Sequence, residues 1–217
     1  MQRKNYEHIE RFNYCWIPDV KNEPNLSGDL SHPKLLPNIP VSYIGLLSRF
    51  QYQKQLTKYK YCFALSGPEP QRTILEEIII RDIEKIKEPC LILRGLPNTE
   101  NEIIGNEFAE IKNHLSSNQL EQAFQQSEYI ICRGGYTTLM EMISLQKKII
   151  IVPTPGQTEQ EYLAKRCMQQ QWCYSVEQSN FHLLNDLEKA KAFKYQIPVF
   201  DKTSLSEFVH QFLQSLA

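Results

Sequence analysis

From about residue 60 onward, short apolar runs alternate with longer segments of helical periodicity, and this alternation restricts the fold more than any other feature of the chain. The apolar runs are 61–65, 90–93, 129–132, 148–152 and 172–176, and 110–114 reads as a further strand. Between and after them, 73–86 carries Leu75, Ile78, Ile79, Ile83 and Ile86 at helical spacing, and 118–126 turns Leu120, Ala123 and Phe124 inward. Residues 136–145, 159–170, 181–192 and 204–216 also read as helices. The strands are continuously apolar rather than alternating, which fits a sheet buried on both faces. Strand–helix repetition of this kind predicts an α/β fold: a Rossmann-like parallel sheet flanked by helices.

Ahead of this region, 13–17 and 41–45 read as two short strands. The stretch between them holds Pro24, Gly28, Pro33, Pro37 and Pro40, and reads as a linker or excursion rather than a core element. At 217 residues and 41% hydrophobic content, the chain can build one good-sized domain plus a short appendage. Lys and Arg number 24 against 25 Asp and Glu, a balance that argues against a general nucleic-acid binder while allowing a local basic pocket. The six cysteines form no CxxC pair and lie near no histidine pair at metal-ligand spacing, so no metal is expected. They read as buried, reduced thiols, which favours the cytoplasm. Residues 1–10 are polar and show no signal peptide, and no apolar run is long enough to span a bilayer. Association with the inner face of a membrane stays open.

In a parallel sheet of this type, ligands bind beyond the carboxyl ends of the strands, which points to the loops 66–72, 133–138 and 153–160. Arg133-Gly134-Gly135-Tyr136-Thr137-Thr138 joins a strand to a helix. The glycines admit a ligand close to the backbone, and the helix start directs free N–H groups and a positive dipole end at an anion. A tight turn with a threonine cap is the plainer alternative. Glu141 lies four residues after Thr137 on the same helix face, where a carboxylate can accept from two ribose hydroxyls or simply be solvated. Glu159 and Gln160 open another helix and suit sugar hydroxyls, although an acid there also complements the helix dipole. Ser66-Gly67 exposes backbone donors, and Arg72 either faces a phosphate or pairs with a neighbouring glutamate. Neither a Walker P-loop nor a strand-linked GxGxxG is present.

Taken in order, these loops resemble the C-terminal domain of family 28 glycosyltransferases, over about 43–176. The strongest segment is YIICRGGYTTLMEMISLQKKIIIVPTPGQTEQEYLA. The resemblance implies the C-terminal half of a two-domain GT-B fold and a bound UDP-sugar, specifically a UDP-N-acetylhexosamine. It implies backbone contacts from Gly134, Gly135 and Tyr136 to the diphosphate, with Arg133, Thr137 and Thr138 beside them. It assigns Glu141 to the ribose, Glu159 and Gln160 to the sugar, and Ser66 and Gly67 to closure over the phosphates. Arg49 and Arg72 would add positive charge, and the loop from His114 to Ser117 would face the base. No cofactor or metal is implied.

The chain departs from the family pattern in two places. The Ser66 loop lacks two small residues of the G-G-S-x-G pattern, and Leu163-Ala164 replaces Asn-Ala. Residues 1–42 are expected to be a remnant of an acceptor domain with its linker, and 43–217 the donor-binding domain. An acceptor domain carrying the general base would be supplied separately. The reading favours a chain cut from a longer reading frame over a natural donor subunit. The alternatives are a non-catalytic nucleotide-sugar-binding or scaffold module and a fragment of a sugar-nucleotide 2-epimerase.

Overall fold

The computed structural model of the chain describes residues 2–100, 103–200 and 205–215. In chain order the elements are α1 (Gln2–Ile9), β1 (Cys15–Ile17), β2 (Val41–Tyr43), β3 (Tyr59–Ala64), α2 (Gln71–Asp82), β4 (Cys90–Leu93), β5 (Ala109–Lys112), α3 (Ser117–Gln125), β6 (Ser127–Cys132), α4 (Tyr136–Ser144), β7 (Lys148–Ile151), α5 (Thr158–Gln169), β8 (Cys173–Ser175), α6 (Leu183–Ala192) and α7 (Leu205–Ser215). They group into two compact units, Phe50–Pro198 and a smaller one made of Met1–Arg49 with Val199–Ala217.

The larger unit is a six-stranded, wholly parallel sheet in the order β5-β4-β3-β6-β7-β8. The chain starts at β3, steps outward through β4 and β5, then returns beside β3 with β6 and steps outward the other way. β3 and β6 therefore flank the point where the strand order reverses, the preferred ligand position in open parallel sheets. Their ends are level, since Ala64 pairs with Cys132, and Cys132 pairs in turn with Ile151 of β7.

Alternate strand residues point to opposite faces. Tyr61, Phe63, Ile92, Ile131 and Ile150 join Leu75 and Ile79 of α2 with Leu183, Leu187 and Ala190 of α6 in one buried cluster. Cys62, Ile130, Ile149 and Ile151 are buried on the other face. The buried residues of α3 (Ala123, Phe124), α4 (Leu139, Met142, Ile143) and α5 (Leu163, Ala164, Cys167) supply the cover there. Five of the six cysteines are buried, Cys15 is half-buried, and all six are free thiols.

Two elements differ from the sequence expectation. The helix expected over 73–86 ends at Asp82, and Ile83–Lys85 tightens into a 3-10 turn. The polar start of the chain forms α1, which apolar periodicity does not announce. Of the helix expected over 204–216, Ser204 and Leu216 lie outside the described residues.

In the smaller unit, β1 and β2 pair in parallel. The connection between them, read as a linker or excursion, has a buried turn, Asn25, Leu26, Ser27 and Gly28. The cause is Asp19, a fully buried carboxylate that accepts from the N–H groups of Leu26 (3.1 Å) and Ser27 (2.8 Å) and from the Ser27 hydroxyl. A sequence rich in prolines and turn formers thus folds inward around one acceptor. His32 lies stacked on Tyr43, with Nε2 2.9 Å from the Val20 carbonyl. On α7, Phe212 meets Tyr14 and Trp16 edge-on, with centroids 4.9 and 5.0 Å apart. No helix among the described residues is long and apolar enough to cross a membrane.

Candidate functional site

The loops after β3, β6 and β7 meet at the carboxyl ends of their strands. β6 lies between the other two, and its loop is the shortest: Arg133-Gly134-Gly135 leads straight into α4. Gly134 is buried against its neighbours. A Cβ built on it would stand 3.0 Å from Ile151 Cγ2 and 3.2 Å from the Gln160 carbonyl oxygen, which fixes glycine at this position by close approach rather than by a left-handed backbone. Gly135 is the N-cap of α4 and supplies no side-chain cap. The first N–H groups of the helix have no partner within it, as in any α-helix. Tyr136 and Thr138 are half-buried and Thr137 is exposed at this mouth. Glu141 is buried one turn further along α4.

Arg133 is buried, at 3% exposure. Its guanidinium donates to the carbonyls of Val152 (3.0 Å), Pro153 (3.3 Å) and Gln71 (2.6 Å). It therefore ties the β7–α5 loop and the start of α2 to the end of β6. Burial pulls its pKa down to about 10, so it remains cationic at neutral pH.

Arg72 takes the other course open to it. Its Nε donates to Glu69 (2.6 Å), and its Nη1 donates to Glu76 (3.0 Å) and to the Arg94 carbonyl (3.3 Å). Burial works against the charge, but the Glu69 and Glu76 carboxylates hold its pKa above the ordinary value. Arg94 shares Glu76 and donates to Asn113 (2.8 Å). Arg72 is thus bound in an ion-pair cluster with Glu69 and Glu76, and its Nη2 donates to the Thr73 hydroxyl (2.6 Å).

Ser66 and Gly67 are exposed, and Gly67 adopts a φ of +103°. The position a Cβ on Gly67 would occupy lies 3.5 Å from the Thr154 hydroxyl, so the β3 and β7 loops touch across the end of β6. Gln160 is half-buried and turns back on its own loop. Its Oε1 accepts from the Thr154 N–H (3.0 Å), and its Nε2 donates to Gln157. Glu159, next to it at the start of α5, is exposed.

His114 lies in the β5–α3 connection and Ser117 is the first residue of α3, two strands out from β3, and both are exposed. The cap of α3 is Ser116, in a capping box with Gln119. Arg49 is an exposed residue at the last position of the segment Met1–Arg49 in the smaller unit.

The sequence reading missed a polar cluster behind the loops. Gln178, after β8, donates to Gln71 (2.7 Å), whose carbonyl receives Arg133. Thr154 is also buried here. Nothing local announces the Gln71–Gln178 pair, which joins residues more than a hundred positions apart. Thr154 had a signal, since it stands just past the end of a strand in a loop already singled out.

Among solved structures, the chain is similar to MurG of Acinetobacter baumannii, at 16% identity and a TM-score of 0.54, over 75% of this chain and 50% of that one. It is similar to the glycotransferase of kitacinnamycin, at 12% identity and a TM-score of 0.54, over 70% of this chain and 40% of that one. It is also similar to the spinosyn forosaminyltransferase SpnP, at 11% identity and a TM-score of 0.53, over 83% and 51%. At these identities the likeness establishes the fold, and the chain spans about half the length of these structures or less. No curated protein sequence matches the chain. The profile of the glycosyltransferase family 28 C-terminal domain matches residues 97–209, more than half of the chain, which therefore belongs to glycosyltransferase family 28.

Proposed function

We propose that this chain binds a UDP-sugar, with UDP-N-acetylhexosamine as the expected donor, at the joined ends of β3, β6 and β7, and that it presents the sugar for transfer to a hydroxyl on a separately supplied acceptor domain. One observation carries the reading. At the switch point of the sheet, a helix starts on two glycines with no side-chain cap and a buried arginine directly before them. That arrangement suits a diphosphate, which accepts from helix N–H groups and is drawn by the dipole and the cation. Glu141, one turn along α4, is the acceptor for ribose hydroxyls. Glu159 and Gln160 read the sugar, and this requires Gln160 to exchange its bond to Thr154 for one to the ligand.

In the reaction, the acceptor oxygen attacks the anomeric carbon as the bond from that carbon to the phosphate oxygen breaks. The departing nucleoside diphosphate keeps the electron pair, and the configuration inverts. The hydroxyl proton passes to a base on the acceptor side. The α4 N–H groups and Arg133 stabilise the charge that develops on the leaving diphosphate, a role that preorganised donors fill well. Bringing donor and acceptor together supplies much of the remaining rate.

Calorimetric titration with UDP and UDP-GlcNAc, with GDP as the control, tests this. Binding of the uridine nucleotides is expected, with affinity reduced at least about tenfold in Glu141→Ala, as for loss of hydrogen bonds to a charged group. Absence of heat and of any thermal shift with both uridine nucleotides overturns the reading. A Glu141→Ala chain that stays folded and binds UDP unchanged removes Glu141 from the site.

A further inference from the structure

Thr154 carries the least explained polar atom at these loops. The residue is 1% exposed, and its hydroxyl has no hydrogen-bond partner among the described residues. Its backbone is held on every side. The N–H donates to Gln160, the carbonyl accepts from the Gln157 N–H (3.1 Å), and Arg133 grips the two preceding carbonyls. A buried hydroxyl without a partner is costly, whereas valine would fill the same shape without that cost. Gly67 lies beside the hydroxyl, since a Cβ built on it would stand 3.5 Å away, and it belongs to a turn whose residues 66–70 are all exposed. The hydroxyl thus neighbours a turn of surface chain at the mouth of the site.

Charge adds a second, independent observation. Arg72 and Arg94 share the buried Glu76, but among the described residues Arg133 donates only to carbonyls and its Nε has no partner. A buried cation bonded to neutral acceptors alone leaves a net positive charge beneath the loops, which an arriving anion offsets.

We propose that the Thr154 hydroxyl is a ligand contact, donating a hydrogen bond to a phosphoryl oxygen of the distal phosphate of the nucleoside diphosphate as the Ser66–Gly67 turn lifts off it. This assignment rests on the nucleotide-sugar reading above. The distal phosphate is chosen because Thr154 is bonded to Gln160, on the sugar side of the site, while the ribose acceptor Glu141 lies on α4.

Thr154→Val and Thr154→Ser, each titrated with UDP, UMP and UDP-GlcNAc, provide the test, with a melting curve of each ligand-free chain. Thr154→Val is expected to bind UDP about tenfold more weakly or worse, as for loss of a hydrogen bond to a charged group. It should bind UMP as the parent does and melt no earlier without ligand. Thr154→Ser is expected to keep UDP affinity within about threefold, since the hydroxyl remains. Equal losses for UDP and UMP with an earlier melt would mean a structural role and overturn the proposal. A loss seen with UDP-GlcNAc but not UDP places the contact on the sugar and overturns it too. If the parent binds UDP and Thr154→Val does so equally well, the Thr154 assignment alone fails; if the parent binds none of the three, the nucleotide reading falls with it.

Discussion

Gly134 at the end of β6 lies against Gln160 in the first turn of α5, so closely that a Cβ would sit 3.2 Å from the Gln160 carbonyl oxygen and 3.0 Å from Ile151 Cγ2. Gly135, the next residue, has room, with only the Thr138 hydroxyl 3.9 Å away and an ordinary φ of −64°. Gly134→Ala is therefore expected to push α5 away from β6, costing about 1–3 kcal/mol as other overpacked sites do. Gly135→Ala should cost less than about 1 kcal/mol, chiefly from a poorer N-cap. Urea unfolding of the two variants checks the contrast, and equal losses would mean that the close approach is not what requires glycine.

Glu76 holds two arginines in a largely buried cluster. The side-chain exposures are 8% for Glu76, 7% for Arg72 and 11% for Arg94. Glu76→Gln keeps the shape and removes the charge, leaving two buried cations facing each other. A loss of about 3 kcal/mol is expected, in the range for breaking a buried pair from one side. Replacing the exposed partner Glu69 by Gln should cost far less, because solvent screens that pair. Denaturant titration of both variants settles the order.

Stability should fall in alkali. Burial pushes the Cys90 and Cys132 thiols up to about 12, against an ordinary value of 9.0. In the unfolded chain they ionise near the ordinary value, so above it the unfolded state binds fewer protons than the folded one. Their contribution is thus complete below about pH 9 and is lost as the pH rises toward 12, by about 1.4 kcal/mol per thiol for each pH unit. Tyr61 and Tyr174, whose pKa values burial also raises, act in the same direction at higher pH. Arg133 works the other way, but only above about 10. Urea midpoints between pH 8 and 10.5 should decline, and a Cys90→Ala/Cys132→Ala chain should decline less steeply.

In the smaller unit, Asp19→Asn takes away a charged acceptor from the Leu26 and Ser27 N–H groups. A local loss of about 2–3 kcal/mol is expected from hydrogen bonds to a buried carboxylate. Hydrogen exchange should show faster exchange at Leu26 and Ser27, with the β3–β6 core unchanged. Unchanged protection at those two amides would mean that the carboxylate does not organise the segment.

Much of the fold was written locally. Runs such as Ile130-Ile131-Cys132 and Ile149-Ile150-Ile151 show their strands because burial on both faces demands continuous apolar residues, and Leu139, Met142 and Ile143 mark a helix because 3.6 residues make a turn. Gly134-Gly135 at a strand-to-helix junction was visible for the same reason, since a sharp turn and a close approach need glycine wherever they occur. Tertiary structure alone decided what long-range partners control. Arg72 and Arg133 look alike in sequence as arginines at strand-to-helix loops, but Glu76 and Arg94 converge on the first, while carbonyls from two distant loops reach the second. The proline-rich stretch before β2 is ordered because the Asp19 carboxylate bonds amides seven and eight residues away, and Thr154 is buried because β3 and β7 both neighbour β6. Periodicity is a property of neighbouring residues, whereas the charge and hydrogen-bond balance of a side chain depends on groups that only the completed sheet brings within reach.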